Sequence, residues 1–341
     1  MKIILIRFSS LGDCVLLCPL AAHLRAHGAE EVAVVTKSAY AGLFAAAVGV
    51  GRVTAFDARG GIRALTRIAD DYRGRGYRVI DAHNNLRSRF LSVRLGGADA
   101  RFRKFYGPRL RLIWFKRPAR LPSILEQYGA LAAAVGMPGA TLAPGGIEVP
   151  ARYATEASER MSGDGHPHVA MAPGAKWPEK RWPLDRYVEL ARRLVEHHGY
   201  RLLLLGDQHD RAAGAAIAQQ CGDMCLDMTG RTGIIEAAAY LQRCSGFVGN
   251  DSGLAHLAEA VGVPVVVLYG PTVESFGYYP SLPISKTIEH HLPCRPCSRN
   301  GSRQCPKRTR ECLGRIGVST VETATLDMLS NSGPERYVLT S

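Results

Sequence analysis

Three stretches of this 341-residue chain combine residue types that can grip a phosphorylated ligand or move a proton. Gly249-Asn250-Asp251-Ser252-Gly253-Leu254-Ala255-His256 follows an apolar run and opens a helical pattern. Its small residues let a ligand approach backbone N–H groups at a positive helix end, which suits a diphosphate. A plain N-cap by Asp251 or Ser252 is the commoner explanation of such a segment taken alone. Pro173 to Pro183 interleaves Lys176, Lys180 and Arg181 with stiff Pro and Trp, a way to hold cations against phosphate with little thermal slack. Two tryptophans would equally pin a solvated loop to the core. Asp13 stands between a first strand and a first helix, where a carboxylate caps the helix by default and serves as a general base where a substrate hydroxyl meets it. Gly206-Asp207-Gln208-His209-Asp210 is a weaker candidate for nucleoside contacts. The glycine fingerprint of dinucleotide enzymes is missing after the first strand, which offers only Gly12, so NAD binding is poorly supported.

These loops need strands and helices to hold them. Short β-branched runs at Lys2–Arg7, Val32–Thr36, Val53–Phe56 and Arg78–Asp81 alternate with helical stretches at 14–26, 40–48 and 62–72. A second alternating series runs from His168 to Tyr269, after a Gly-, Pro- and Ser-rich stretch at 138–167. Alternation of this kind predicts parallel sheets with helices on both faces, here twice, with a break near residue 155. In such sheets ligands gather at the carboxyl ends of strands, where all three stretches fall. The composition, 46% hydrophobic and 21% charged, fits a globular chain and excludes collagen, coiled coil and wholesale disorder. Arg7 and Asp13 interrupt the N-terminal apolar run, so no signal peptide is expected and the chain reads as cytoplasmic.

Charge is uneven: residues 1–150 hold 22 Lys and Arg against 10 Asp and Glu, the remainder 21 against 20. The excess peaks between Arg101 and Pro122, with eight basic residues, no acidic ones and five aromatics between them. That mixture suits a phosphorylated lipid head group or single-stranded nucleic acid; the blander alternative is a solvated hairpin with Leu110 and Leu112 turned inward. Cys294, Cys297, Cys305 and Cys312 form C-x2-C-x7-C-x6-C. Four thiolates at that spacing can enclose one structural Zn or Fe ion; reduced cysteines or a pair of disulfides are the alternatives.

The segments Ile6–Asp13, Asp81–Ser88, Lys180-Arg181-Trp182-Pro183, Asp227–Thr232 and above all Phe247–Thr272 closely resemble the heptosyltransferases of glycosyltransferase family 9. The resemblance implies an α/β fold of GT-B architecture with two facing Rossmann-like doubly wound domains. Residues 1–155 would bind the acceptor and 156–341 the nucleotide sugar, with the segment from about 319 a candidate to pack back on the first domain. It implies inverting transfer of heptose from ADP-heptose to the lipopolysaccharide inner core, with no cofactor for catalysis. Asp13 would be the general base and Lys180 would neutralise the departing diphosphate. Ser10, Gly12, Lys176, Thr229, Asp251, Ser252, Gly253 and His256 would bind the donor. His83, Arg87, Arg109, Arg111, Lys116 and Arg120 would bind an anionic glycolipid, with peripheral contact at the inner face of the inner membrane and no nucleic acid as partner. Related protein heptosyltransferases hold iron at similar cysteines. Many members carry Thr or Ser ahead of the lysine in the second loop; here the stretch is Gly174-Ala175-Lys176-Trp177, and Lys176 is expected to take over those phosphate contacts. Transfer to protein or another glycan is the runner-up, and a nucleic-acid binder using the basic half is the reading from another class.

Overall fold

The computed structural model describes residues 1–117, 121–162, 165–302 and 304–331. Eleven strands are β1 (Lys2–Ile6), β2 (Glu31–Lys37), β3 (Arg52–Phe56), β4 (Tyr77–Asp81), β5 (Ala100–Arg101), β6 (His168–Ala172), β7 (Arg201–Leu204), β8 (Cys225–Asp227), β9 (Cys244–Asn250), β10 (Val265–Tyr269) and β11 (Lys286–Glu289). The helices are α1 (Leu11–Val15), α2 (Cys18–Ala26), α3 (Ala41–Ala45), α4 (Gly61–Tyr72), α5 (Leu86–Arg94), α6 (Tyr106–Phe115), α7 (Ile124–Ala134), α8 (Ala151–Arg160), α9 (Leu184–Glu196), α10 (Arg211–Cys221), α11 (Ile234–Leu241), α12 (Gly253–Ala260), α13 (Glu311–Gly314) and α14 (Val318–Ser330). No helix among the described residues is long and apolar enough to cross a membrane.

The chain forms two compact units: Met1–Lys104 with Pro122–Pro150, and Phe105–Leu121 with the described residues from Ala151 on. In the first, a parallel sheet runs β3-β2-β1-β4-β5, with Ile4 level with Ala33. In the second, a parallel sheet runs β11-β10-β9-β6-β7-β8. Central strands such as Val265–Tyr269 are apolar throughout because helices cover both faces. In each sheet the order reverses beside the first strand of its unit, between β1 and β4 and between β6 and β9. Loops diverge at that point and leave a crevice.

Three expectations are corrected. The single helix expected over 14–26 is two, α1 and α2, because Pro19 lacks the N–H an unbroken helix needs and instead sits in the first turn of α2. The basic stretch is no hairpin: its residues 106–115 form α6, which belongs with the second unit. Finally, α14 packs against α9, β9, β10 and β11 of the second unit, with Val321 and Met328 in that unit's core, so 319–331 does not return to the first; residues 332–341 lie outside the described residues.

Candidate functional site

At the reversal point of the first sheet, β1 delivers Arg7 and the following turn delivers Asp13. Both side chains are nearly closed to solvent, 6% and 11% exposed, and Arg7 Nη2 meets Asp13 Oδ2 at 2.6 Å. The Ser10 N–H (3.1 Å) and hydroxyl (2.8 Å) donate to the same oxygen. Asp13 therefore caps α1 and anchors an ion pair at once. Arg7 is fixed from behind by donating to Ala82 O at 2.5 Å, while Gly12 lies buried in α1.

From the next strand across, Asp81 accepts the N–H groups of His83 (3.1 Å) and Asn84 (2.7 Å). Asn84 takes a left-handed conformation, φ 52°, and donates to Phe102 O at 2.8 Å. This turn sets the His83 ring beside Phe8, with Nδ1 buried and unpartnered. Burial, reinforced by the Arg7 and Lys104 charges, pushes the His83 pKa down to about 3. A neutral imidazole can exchange hydrogen bonds with a sugar hydroxyl without adding charge. Arg87 lies exposed in the first turn of α5.

The second reversal point carries a pair of the same chemistry. Lys180 Nζ lies 2.5 Å from Asp251 Oδ2, the side chains 13% and 11% exposed, and the Thr272 hydroxyl donates to that oxygen at 2.7 Å. Burial opposes ionisation of Asp251, but Lys180 and Thr272, with help from His256, outweigh it and hold its pKa below the usual carboxylate value. Asn250, fully buried at the end of β9, staples both ends of the lysine loop: it donates to Pro173 O (2.9 Å) and Gly174 O (3.2 Å) and accepts the Trp182 N–H (2.9 Å). The Trp182 indole donates to Ile316 O at 3.1 Å and sits in the core. The loop is thus pinned to the core by this tryptophan.

The Asp210 carboxylate fills the space beside Gly174: a Cβ there would lie 2.0 Å from Asp210 Oδ2. Lys176 is exposed, its ammonium 5.6 Å from the centre of the Trp177 ring. Ser252 precedes α12, its hydroxyl buried and unpartnered, and Gly253 opens that helix. His256 lies one turn on and, with Asp251, Ser252, Glu259, Tyr269 and Tyr278, lines a small pocket.

Glu259 had no part in the sequence reading. Burial pushes its pKa up to about 7, against the N–H groups of Ser281 and Leu282 and the Ser285 hydroxyl, all of which donate to it. Thr272 and Asn250 were likewise given no role. The one sequence signal for Asn250 is a polar residue closing an apolar strand, and nothing local announces that its partners are 68 to 77 residues away.

Several expected residues sit elsewhere. Thr229 is 1% exposed, packed where Gly206 and Gly214 leave room for it, with its hydroxyl buried and unpartnered. Arg109 is buried in the second unit, donating to Phe276 O at 3.0 Å and lying over Phe276 and Tyr278, so it is no surface contact for an acceptor. Lys116 donates to Cys294 O (2.9 Å) and Pro296 O (2.7 Å), which ties the end of α6 to the cysteine loop. Arg111 is exposed; Arg120 lies outside the described residues. All nine cysteines are free thiols in this structure. Among the described residues no three His, Cys, Asp or Glu side chains gather as a group able to hold a metal ion.

Two doubly wound parallel sheets, each in its own compact unit, define the two-domain GT-B class of fold. The glycosyltransferase family 9 (heptosyltransferase) model matches residues 67–309, and the chain belongs to that family. Lipooligosaccharide heptosyltransferase 2 of Haemophilus influenzae is 39% identical over 127 residues, 36% of each chain, so the match spans about a third of that relative. The fold is that of a family 9 glycosyl transferase from Veillonella parvula (TM-score 0.78, 20% identity, 96% of this chain and 97% of that one). It is equally that of Escherichia coli ADP-heptose lps heptosyltransferase II (TM-score 0.73, 24% identity, 97% and 99%).

Proposed function

We propose that this chain transfers heptose from ADP-heptose to the inner core of lipopolysaccharide, with inversion at the anomeric carbon. The observation that carries this reading is the Lys180–Asp251–Thr272 cluster at the reversal point of the second sheet, beside the Ser252-Gly253 helix start. Family membership and the names of the relatives support the choice of sugar and acceptor. In this reading Asp13 takes the proton of the acceptor hydroxyl, whose oxygen forms the new bond to the anomeric carbon. The bond from that carbon to the diphosphate breaks, and ADP leaves with the electron pair. Charge grows on the leaving diphosphate, so a preorganised ammonium such as Lys180 stabilises the transition state more than the ground state. Asp251 and Thr272 hold Lys180 in place, and the α12 N-terminus adds N–H groups for phosphate. The acceptor being an anionic glycolipid, the protein would work in the cytoplasm against the inner face of the inner membrane.

A structural Zn or Fe at Cys294, Cys297, Cys305 and Cys312 is a separate proposal, supported by the all-sulfur donor set and by the Cys305 sulfur. Burial of that sulfur is outweighed by backbone N–H groups of residues 307–310, which lower its pKa. About one equivalent of metal in protein purified without chelator is the expected result.

The function is tested by following ADP release from ADP-heptose, with UDP-sugars as controls, in the presence of core-truncated lipopolysaccharide, a protein acceptor or neither. Release that needs both ADP-heptose and the lipopolysaccharide is expected. Release with the protein acceptor instead selects the runner-up, and none above an Asp13→Asn control overturns the reading.

A further inference from the structure

Helix α6 presents two unlike faces. Inward, Leu112 and the Arg109 guanidinium are buried, the latter held by Phe276 O and stacked near two aromatic rings. Outward, Arg111, Trp114 and Phe115 share one face by their i, i+3, i+4 spacing, and Trp114 (69%) and Phe115 (64%) stand largely in solvent. The buried side fixes the helix to its unit, so these aromatics project from a rigid element. Rings of this size are normally covered, and exposure of two adjacent ones marks a contact surface.

The surroundings say what the contact is. Lys116 sutures the helix end to Cys294 and Pro296, and the Arg299 guanidinium lies 4.8 Å from the Tyr106 ring, so α6 and the cysteine loop form one continuous surface. Neither 101–125 nor 290–310 contains an Asp or Glu, while Arg111, Arg117 and Arg299 are exposed. A surface with protruding Trp and Phe ringed by cations is complementary to an anionic bilayer: the rings enter the head-group boundary and the cations meet lipid phosphates.

We propose that the outer face of α6, with the adjoining cysteine loop, docks this protein onto an anionic phospholipid surface through insertion of Trp114 and Phe115. The proposal rests on the glycolipid reading only in preferring lipid to nucleic acid. Co-sedimentation with phosphatidylcholine vesicles, with and without phosphatidylglycerol, tests it. The parent protein should bind the anionic vesicles, weaken with salt, and show a blue shift of tryptophan emission that Trp114→Phe abolishes. Trp114→Ala/Phe115→Ala should bind at least ten-fold more weakly while keeping its melting temperature and its ADP release with a deacylated, water-soluble core acceptor. Arg117→Glu/Arg299→Glu should weaken binding to anionic vesicles only. Equal binding to neutral vesicles, no vesicle binding, or unchanged binding by the double alanine variant overturns the proposal. Displacement of the vesicles by a single-stranded RNA oligonucleotide would overturn it in favour of a nucleic-acid surface. Transfer to the deacylated acceptor reads the catalytic assignment independently, so either can fail alone.

Discussion

The two units place nearly the same ion pair at equivalent points of their sheets and anchor it differently. At the first sheet both members are held: Arg7 donates to Ala82 O, and the Asp13 carboxylate accepts from Ser10 as well as from Arg7. At the second the carboxylate is the fixed member: Asp251 is held by Thr272, and the ammonium of Lys180 stands on a stapled loop. A buried pair adds little net stability, but breaking it is costly, so its value lies in fixing geometry.

The sharpest way to break this comparison is to neutralise one member. Asp13→Asn should cut turnover by about 10²–10⁴ through loss of the base. It should also cost about 3–5 kcal/mol, because Arg7 is left buried beside a neutral group. Thermal melts alongside kcat separate the two effects, and turnover within a few-fold of the parent would return Asp13 to a helix cap. Lys180→Ala should lower turnover by about 10²–10³ and weaken donor binding, as expected for a lost transition-state donor, with Lys180→Arg recovering part. Calorimetric titration with ADP alongside kcat would find neither changed if Lys180 serves only the loop.

A smaller effect is expected from Asn250→Ala, which strands the Trp182 N–H and two carbonyls and should destabilise the second unit by about 1–3 kcal/mol. Denaturant unfolding checks it, and a change below a few tenths would mean the loop holds without its staple.

The smallest effects are on pH dependence, and they run in opposite directions in the two units. His83, with a pKa near 3 when folded against an ordinary 6.5, binds fewer protons folded than unfolded, so its contribution to stability is lost as pH falls from about 6.5 to about 3. Glu259, near 7 when folded against an ordinary 4.5, binds more protons folded, so stability falls as pH rises from about 4.5 to about 7. His83→Gln should flatten the first slope and Glu259→Gln the second, read as melting temperature against pH. A substitution that leaves its slope untouched would show that group to be solvated.

Much of the frame was legible because it is written in local pattern. The mostly apolar strands at 2–6, 32–36 and 265–269 read as buried parallel strands, and the candidate ligand loops follow the strands that end at Ile6, Ala172 and Asn250. Helix α6 was not legible. Its Arg-Leu-Arg-Leu alternation mimics a strand, and only burial of Arg109 under Phe276, 167 residues away, settles both its helical form and its unit.

By itself the sequence determined which residues could do chemistry, because side-chain type and a strand-to-helix position fix what Asp13, Lys180 and Asp251 can donate or accept. Only the tertiary structure decided who faces whom. Lys180 and Asp251 lie 71 residues apart, and the Trp182 indole and Ile316 134 apart. A hydrogen bond or ion pair acts over a few ångströms, and the chain brings such partners together only when the sheet order is set.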